Sequence, residues 1–189
     1  MIFHDMMHKT MEDYIDDTLA KSMHRRTHLA DLGPILDRME QFSLCLNPKK
    51  CAFGVTSGKL LGYIISAKGI EVDPEKVQAI MEMPPPHDIK QMRGLQGRLQ
   101  SIRRFISQLA DKSQPFAKTL CKGVTYTWTE DCDRNFTQIK QYLANPPVLM
   151  PPIAGKPLIL YISVTDAALG ALLAQEDQNN KERAIYYIS

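Results

Sequence analysis

The chain has 189 residues, of which 44% are hydrophobic and 23% charged, and its net charge at pH 7 is +2. A hydrophobic fraction of this size is ordinary for a globular protein, so a buried core can form. The sequence has no apolar run long enough to span a bilayer or, near Met1, to form a signal peptide, and it has no CxxC pair among its four cysteines. We therefore expect a chain of the cytoplasm or nucleus that is not secreted and has neither a membrane partner nor a zinc site.

The residue pattern in the first third of the chain predicts a short acidic hairpin, a helix and two further strands. In Tyr14-Ile15-Asp16-Asp17 and the residues after it, β-forming side chains flank two acids, which predicts two short strands that meet at an acidic turn. Apolar residues recur at helical spacing within residues 24–42. Residues 51–55 and 59–65 predict two strands joined by a turn. The acidic turn could be a solvated surface feature or a tip that binds Mg²⁺ through hard oxygen ligands.

Helices are predicted for the middle of the chain. Asp73-Pro74-Glu75 predicts a helix start, with an aspartate N-cap and proline at the first helical position, and the prolines at 84–86 must end that helix. A 3-4-3-4-3 spacing of apolar side chains then predicts one long helix with a single buried stripe. That stripe consists of Met92, Leu95, Leu99, Ile102, Ile106 and Leu109.

A cationic stripe is predicted on the other side of the long helix. It contains Arg93, Gly97, Gln100 and Arg104, within a region where lysine and arginine greatly outnumber acids. Such an excess favours a polyanionic partner, and a glycine in the stripe would let a phosphate backbone approach closely. A solvated helix face is the alternative explanation.

The last third of the chain predicts one helix and three strands. The helix covers about residues 130–143, and prolines near residues 146–152 form a stiff connector that is the candidate domain boundary. Runs of β-forming residues predict strands at 158–164, 171–174 and 183–188, with a turn at 166–170 between the first two. Trp128, Tyr186 and Tyr187 are expected to pack in the fold and not to stack on nucleic-acid bases.

In its motifs and their order, the sequence resembles the reverse transcriptases of gypsy-type LTR retrotransposons. Residues 14–17 resemble the family's Tyr-x-Asp-Asp motif, and residues 47–53 its N-x-x-K-C-x-F segment. Residues 61–70 resemble the hairpin that holds the primer end, and residues 92–106 resemble the thumb signature. Residues 158–189 are similar to the opening strands of the attached RNase H-like domain.

This resemblance implies an α+β fold: an incomplete polymerase palm with a helical thumb, followed by a truncated RNase H-like α/β domain. The implied divisions are a partial palm with both hairpins at 1–72, a thumb at 73–123, a connecting helix and linker at 124–150, and the RNase H-like start at 151–189. We expect the segment before about Ser66 to be less stable than the thumb, because an incomplete palm sheet leaves an unpaired edge.

The resemblance also implies template-directed nucleotidyl transfer that uses two Mg²⁺ or Mn²⁺ ions. In that scheme Asp16 is the principal and Asp17 the supporting catalytic metal ligand. The expected primer and duplex contacts are Tyr14, Leu61, Gly62, Tyr63, Arg93, Gly97 and Arg104. Of these, Arg93 and Arg104 would bind duplex phosphates without reading base sequence. The implied partners are an RNA/DNA template–primer duplex and the remainder of the retrotransposon polyprotein.

Two departures from the family pattern limit the expected activity. The family's other catalytic aspartate precedes Tyr-x-Asp-Asp, and the thirteen residues before Tyr14 lack its motif. We therefore expect the isolated chain to be inactive as a polymerase, and keep a non-catalytic nucleic-acid-binding remnant and a decayed reading frame as alternatives. Ser163 stands where the RNase H-like domain has its first acid, and a hydroxyl is a poor Mg²⁺ ligand. Asp166 matches a non-ligating turn residue, so no RNase H activity is expected.

Overall fold

The computed structural model describes residues 2–15, 17–120, 125–165 and 168–188. Helices and antiparallel strands occupy largely separate stretches of the chain, which confirms the predicted α+β class. The chain divides into two compact units, Met1–Leu61 and Gly62–Ser189. Among the described helices, none is both long and apolar enough to cross a lipid bilayer.

The first unit is built from a hairpin and a helix. Strand β1 (Met11–Tyr14) pairs antiparallel with β2 (Asp17–Ala20), and Tyr14 lies opposite Asp17 in the register. A short 3-10 helix (Arg25–Thr27) leads into α1 (His28–Gln41), and strand β3 (Ser57–Leu60) lies near the end of the unit. The hairpin at the acidic motif and the helix within residues 24–42 are both confirmed.

A small apolar core holds the first unit together. Its buried side chains among the described residues are Phe3, Met11, Ile35 and Met39. The guanidinium of Arg38 donates to both carboxylate oxygens of Asp5 at 2.9 and 3.1 Å and to the carbonyl oxygen of Ile2 at 2.7 Å. These bonds fix the N-terminal segment on α1.

The second unit contains a hairpin, a group of helices and a three-stranded sheet. The hairpin consists of β4 (Tyr63–Ser66) and β5 (Gly69–Val72). The helices are α2 (Pro74–Met81), α3 (Ile89–Ser101), a 3-10 turn (Arg103–Phe105), α4 (Leu109–Thr119) and α5 (Glu130–Leu143). The sheet consists of β6 (Ile159–Val164), β7 (Leu169–Glu176) and β8 (Glu182–Ile188), with each neighbouring pair antiparallel. The predicted strands in the last third are therefore confirmed.

Side-chain caps begin three of these helices. The Asp73 carboxylate accepts a hydrogen bond from the backbone N–H of Glu75 at 3.0 Å, and Pro74 is the first residue of α2. Asp88 and Thr129 cap α3 and α5 in the same way. A cap satisfies N–H groups that have no partner inside the helix, so each of these residues fixes where its helix starts. The predicted start at Asp73 is confirmed.

The prediction of one long helix through Leu109 is wrong. Helix α3 ends at Ser101, Ile102 leaves helical geometry with φ −120° and ψ 13°, and Gln108 adopts left-handed φ of 53° before α4. The six apolar residues of the predicted stripe are nevertheless all buried, with 3% exposure or less. The chain turns so that successive short helices face one core, and no glycine or proline marks the turn.

Two predictions of strands and turns also need correction. Residues 51–55 form no strand, and the predicted strand 59–65 is interrupted where Leu61 and Gly62 adopt positive φ of 54° and 74°. The predicted turn at 166–170 is too long, since β7 already begins at Leu169. Asp166 itself lies outside the described residues.

The core of the second unit joins the helices to β8. Its buried residues come mainly from α2 to α5, and Ala184 and Tyr187 of β8 pack against them. The backbone of Ile70 exchanges two hydrogen bonds with that of Leu149, at 2.8 and 2.9 Å. A Cβ at Gly69 would collide with the Leu149 carbonyl group, so glycine is required for this close approach.

Candidate nucleic-acid interface

The acidic hairpin presents its tip to solvent. Tyr14 is 56% exposed and Ile15 is 83% exposed, and Asp17 is also exposed at the start of β2. Ile15 has φ of 56°, a left-handed conformation that is unfavourable for a β-branched residue. Asp16, predicted as the principal metal ligand, lies outside the described residues.

The tip of the hairpin offers carboxylate ligands to a divalent cation, but the described residues do not form a complete metal site. Carboxylate oxygens such as those of Asp17 are the ligands that Mg²⁺ prefers. Within residues 2–15, 17–120, 125–165 and 168–188, no three histidine, cysteine, aspartate or glutamate residues are grouped to hold a metal ion. The metal roles of Asp16 and Asp17 therefore stay predictions.

A second cluster forms around Tyr63 at the start of β4. The guanidinium carbon of Arg104 lies 4.6 Å from the centroid of the Tyr63 ring, and the ammonium nitrogen of Lys76 lies 5.1 Å from the same centroid. Both distances are within the range of cation–π attraction. The Tyr63 hydroxyl donates a hydrogen bond to the carbonyl oxygen of Ser101 at 3.2 Å, which fixes the ring against the end of α3.

The backbone around this cluster depends on a glycine. Gly62 has φ of 74°, and a Cβ at this position would lie 2.7 Å from the Lys76 Cε atom. Any side chain at residue 62 would thus strain the backbone and displace Lys76. Neighbouring Leu61 is 43% exposed. The predicted primer contacts of Leu61, Gly62 and Tyr63 stay predictions.

The two cations of this cluster, and Arg93 on α3, form no ion pair with a described carboxylate. Among the described residues, no ion pair involves Lys76, Arg93 or Arg104. Positive charges that are not held in ion pairs attract anions, and the attraction weakens as salt increases. The surface therefore suits a polyanion.

The remaining predicted contacts lie on α3. Arg93 and Gly97 are exposed, and a Cβ built at Gly97 has no atom within 4 Å. The prediction of a single stripe through Arg104 is wrong, because α3 ends at Ser101 and Arg104 lies on the following 3-10 turn. The structure thus brings Arg104 to Tyr63, while Arg93 and Gly97 occupy the exposed face of the helix.

The sequence did not predict two residues of the cationic cluster, Lys76 and Tyr186. Lys76 follows the helix start at Asp73, and nothing in its spacing points to Tyr63. Tyr186 was expected only to pack, yet its ring centroid lies 5.5 Å from the guanidinium carbon of Arg104. Contacts between such distant parts of the sequence leave no periodic signal.

Ser163 is exposed on β6, opposite Gly170 of β7. A serine hydroxyl at this position offers no anionic oxygen to a metal ion.

Comparison with known proteins identifies the lineage. Residues 128–189 match the family model of the RNase H-like domain found in reverse transcriptase. The chain is 34% identical over 188 residues to the retrovirus-related Pol polyprotein from transposon opus of Drosophila melanogaster, which covers 93% of this chain. It is 30% identical over 176 residues to the transposon Tf2-3 polyprotein of Schizosaccharomyces pombe, again covering 93% of this chain. The predicted recognition of the reverse transcriptase family is confirmed.

The chain corresponds to a small part of much longer relatives. The chain spans 18% of the opus polyprotein and 13% of the Tf2-3 polyprotein. Its fold is similar to that of a foamy viral protease–reverse transcriptase solved with double-stranded DNA, with a TM-score of 0.79, 18% identity, and coverage of 94% of this chain and 31% of that one. A structure of the viral enzyme with an RNA/DNA hybrid also gives a TM-score of 0.79, at 17% identity, covering 98% of this chain and 25% of that one.

Proposed function

We propose that this chain is a segment of a gypsy-type retrotransposon reverse transcriptase whose function is to hold the template–primer duplex. In this proposal residues 1–72 belong to the palm, residues 73–123 to the thumb, residues 124–150 to a connection, and residues 151–189 to the RNase H-like domain. Support comes from the relatives, which are retrotransposon polyproteins, and from solved neighbours in complex with double-stranded DNA and RNA/DNA hybrid.

One observation carries the duplex-binding proposal. The cations of Lys76 and Arg104 both lie against the Tyr63 ring, and neither cation is in an ion pair with a described carboxylate. Contact with the ring holds Arg104 in place, so less side-chain entropy is lost when it binds a phosphate. A planar guanidinium also matches two phosphate oxygens at once.

The exposed face of α3 offers further candidate contacts for a duplex. Arg93 provides a further charge without an ion pair among the described residues, and Gly97 leaves room for a backbone to come close. Contacts of this type position a protein on a duplex but do not read its sequence. We therefore expect binding that depends on duplex form and salt, with little dependence on base sequence.

Fluorescence anisotropy with labelled DNA duplex and RNA/DNA hybrid tests the proposal. For the full chain, the logarithm of affinity should fall linearly with the logarithm of salt concentration. The double variant Lys76→Ala/Arg104→Ala should bind more weakly. Its slope of log affinity against log salt concentration should be smaller by about two, because two cations are removed. Arg134→Ala is the matched control, because Arg134 is an exposed cation of α5 paired with Asp131 at 3.3 Å.

Binding that does not respond to salt, or an equal loss in the control and the double variant, would refute the proposal. Undetectable binding of the unmodified chain at low salt would instead support a decayed reading frame.

A second candidate function is nucleotidyl transfer at the acidic hairpin. The strained φ of Ile15 at its tip favours this candidate, because such backbone strain often accompanies functional sites. Asp16 and Asp17 would hold Mg²⁺ or Mn²⁺, which stabilises charge on the reacting oxygens. We propose that this reaction needs further acidic ligands, because two adjacent carboxylates do not complete a two-metal site, and that the chain alone does not transfer nucleotides. Primer extension on a homopolymer template that is abolished by Asp16→Asn would contradict this. With Ser163 as described, RNase H activity is not expected either.

A further inference from the structure

Arg104 contacts two aromatic rings that come from different parts of the second unit. Its guanidinium carbon is 4.6 Å from the ring centroid of Tyr63 on β4 and 5.5 Å from that of Tyr186 on β8. With Lys76 also over the Tyr63 ring, these residues form a cluster of two cations and two rings. Residue 186 belongs to the stretch that matches the RNase H-like family model, whereas the other three residues precede that stretch.

We propose that Tyr186 is a positioning residue for Arg104, so that the RNase H-like sheet contributes to duplex binding at the Tyr63 cluster. This inference rests on the proposed duplex-binding function. Tyr186 itself need not touch the nucleic acid. It restricts the guanidinium to the orientation in which its charge is offered to a phosphate.

The environment of β8 supports a role for the Tyr186 ring. Adjacent strand residues point to opposite faces, and Tyr187 packs against the core of the unit. Tyr186 is therefore not needed to fill that core, and it is directed to Arg104 instead. The strand lies against the 3-10 turn that carries Arg104. Movement of β8 would consequently change how Arg104 is held.

The interaction depends on the ring and not on the hydroxyl. Among the described residues, the Tyr186 hydroxyl has no hydrogen-bond partner. A phenylalanine ring would attract a guanidinium through the same quadrupole. Tyr186→Phe should therefore keep the function that Tyr186→Ala loses, which separates positioning by the ring from any hydrogen bond of the hydroxyl.

Two measurements on the full chain test the inference. The first is the ¹H–¹⁵N NMR signal of the Arg104 Nε–H group, which ring currents should shift upfield when the group lies against two rings. Tyr186→Ala should move this signal toward the free-arginine position, and Tyr186→Phe should not. The second is duplex affinity, which Tyr186→Ala should weaken by about two- to tenfold, in keeping with cation–π energies.

A double-variant comparison decides whether the effect passes through Arg104. In the Arg104→Ala background, Tyr186→Ala should cause no further loss of affinity. Tyr161→Ala is the control on the same sheet, since the Tyr161 hydroxyl donates to Glu182 at 2.8 Å and the ring has no cation partner among the described residues.

The outcomes distinguish failure of the positioning role from failure of duplex binding. An unchanged Arg104 signal in Tyr186→Ala, or an additive loss in the Arg104→Ala background, would overturn the positioning role. If the unmodified chain binds no duplex, the proposed function fails, and with it the role of Tyr186 in duplex binding. An NMR signal that still behaves as expected would then show only that Tyr186 orders Arg104. Similar thermal midpoints for Tyr186→Ala and Tyr186→Phe would exclude a general folding defect.

Discussion

The hydroxyl of Tyr63 donates a hydrogen bond of 3.2 Å to the carbonyl oxygen of Ser101, the last residue of α3. This bond satisfies a carbonyl that the helix itself leaves without a partner. It also places the Tyr63 ring beside the 3-10 turn, so that Arg104 can lie over it. The end of α3, which interrupts the predicted long helix, is therefore also the feature that assembles the cationic cluster.

Replacement of Gly97 should separate folding stability from duplex binding. Alanine is a better helix former than glycine, and no atom lies within 4 Å of the added Cβ, so Gly97→Ala should raise the free energy of unfolding by about 0.5–1 kcal/mol. If a nucleic-acid backbone approaches this face, the added methyl group should clash with it and weaken duplex affinity. A steric cost of ~1.4 kcal/mol corresponds to about a tenfold loss. Urea unfolding and anisotropy measure the two effects.

Arg93→Ala provides the comparison on the same helix. It removes a charge and should reduce the slope of affinity against salt by about one, whereas Gly97→Ala should leave that slope unchanged. A stabilised Gly97→Ala chain that binds duplex as tightly as the original would show that this face does not contact nucleic acid.

The local chemistry of the sequence was sufficient to predict most elements. The Asp73-Pro74 start, the acidic hairpin and the three C-terminal strands all depend on nearby residues, and each is present. The six apolar residues from Met92 to Leu109 were correctly assigned to the core, because burial follows from hydrophobicity whatever the backbone does between them.

The arrangement of the cationic cluster could not be predicted in the same way. A 3.6-residue period continues through Ile102 even though the helix ends, so the sequence pattern wrongly extends the α3 stripe to Arg104. Lys76 and Tyr186 join Tyr63 and Arg104 only through tertiary packing. Sequence spacing carries no information on such contacts. The motif resemblance identified Tyr63 and Arg104 separately but not their mutual contact.

Removal of the Gln175 side chain should destabilise the second unit. Gln175 is 4% exposed; its amide nitrogen donates to the carbonyl oxygens of Ile153 and Lys156, each at 3.0 Å, and its carbonyl accepts from the Ile153 N–H at 2.7 Å. Gln175→Ala leaves these backbone groups without partners, which should cost about 1–3 kcal/mol in urea unfolding. Exposed Gln178→Ala is the control and should change little. Equal effects of both substitutions would mean that the Gln175 bonds to Ile153 and Lys156 do not stabilise the second unit.

The charge of Lys112 should make stability depend on pH in the alkaline range. Its ammonium group donates to the carbonyl oxygen of Ser107 at 2.6 Å and lies 4.5 Å from the Tyr142 ring centroid, and burial lowers the pKa of Lys112 below 10.5. Between the lowered pKa and 10.5 the unfolded chain binds more protons than the folded chain, so stability rises with pH. Below the lowered pKa the full penalty for the buried charge remains.

Lys112→Met removes the titrating group and keeps most of the apolar stem. The free energy of unfolding of the original chain, relative to this variant, should therefore increase as pH rises toward 10.5. Denaturant titrations at several pH values measure the difference. A difference that stays constant or falls with pH would contradict the assigned direction of the pKa change.

Relief of the backbone strain at Ile15 should stabilise the acidic hairpin. A left-handed conformation costs an ordinary residue about 1–2 kcal/mol, and asparagine tolerates it better than a β-branched residue. Because Ile15 is 83% exposed, Ile15→Asn loses little buried apolar surface. The opening free energy of the hairpin amides, measured by hydrogen exchange, should therefore rise by about 0.5–1 kcal/mol. Ile15→Val keeps the β-branch and serves as the control. A similar gain in both variants would rule out strain as the cause.

The two units should differ in resistance to local opening. The first unit has four buried apolar residues in its described core, whereas the second has fifteen, so less apolar surface is removed from water in the first. Hydrogen exchange followed by mass spectrometry should show faster exchange in β1 and β2 than in α3 and α5. Met39→Ala should accelerate exchange in the hairpin, because Met39 packs in the same small core as Met11 of β1. Equal protection of the hairpin and the helices in the unmodified chain would contradict the predicted difference in stability.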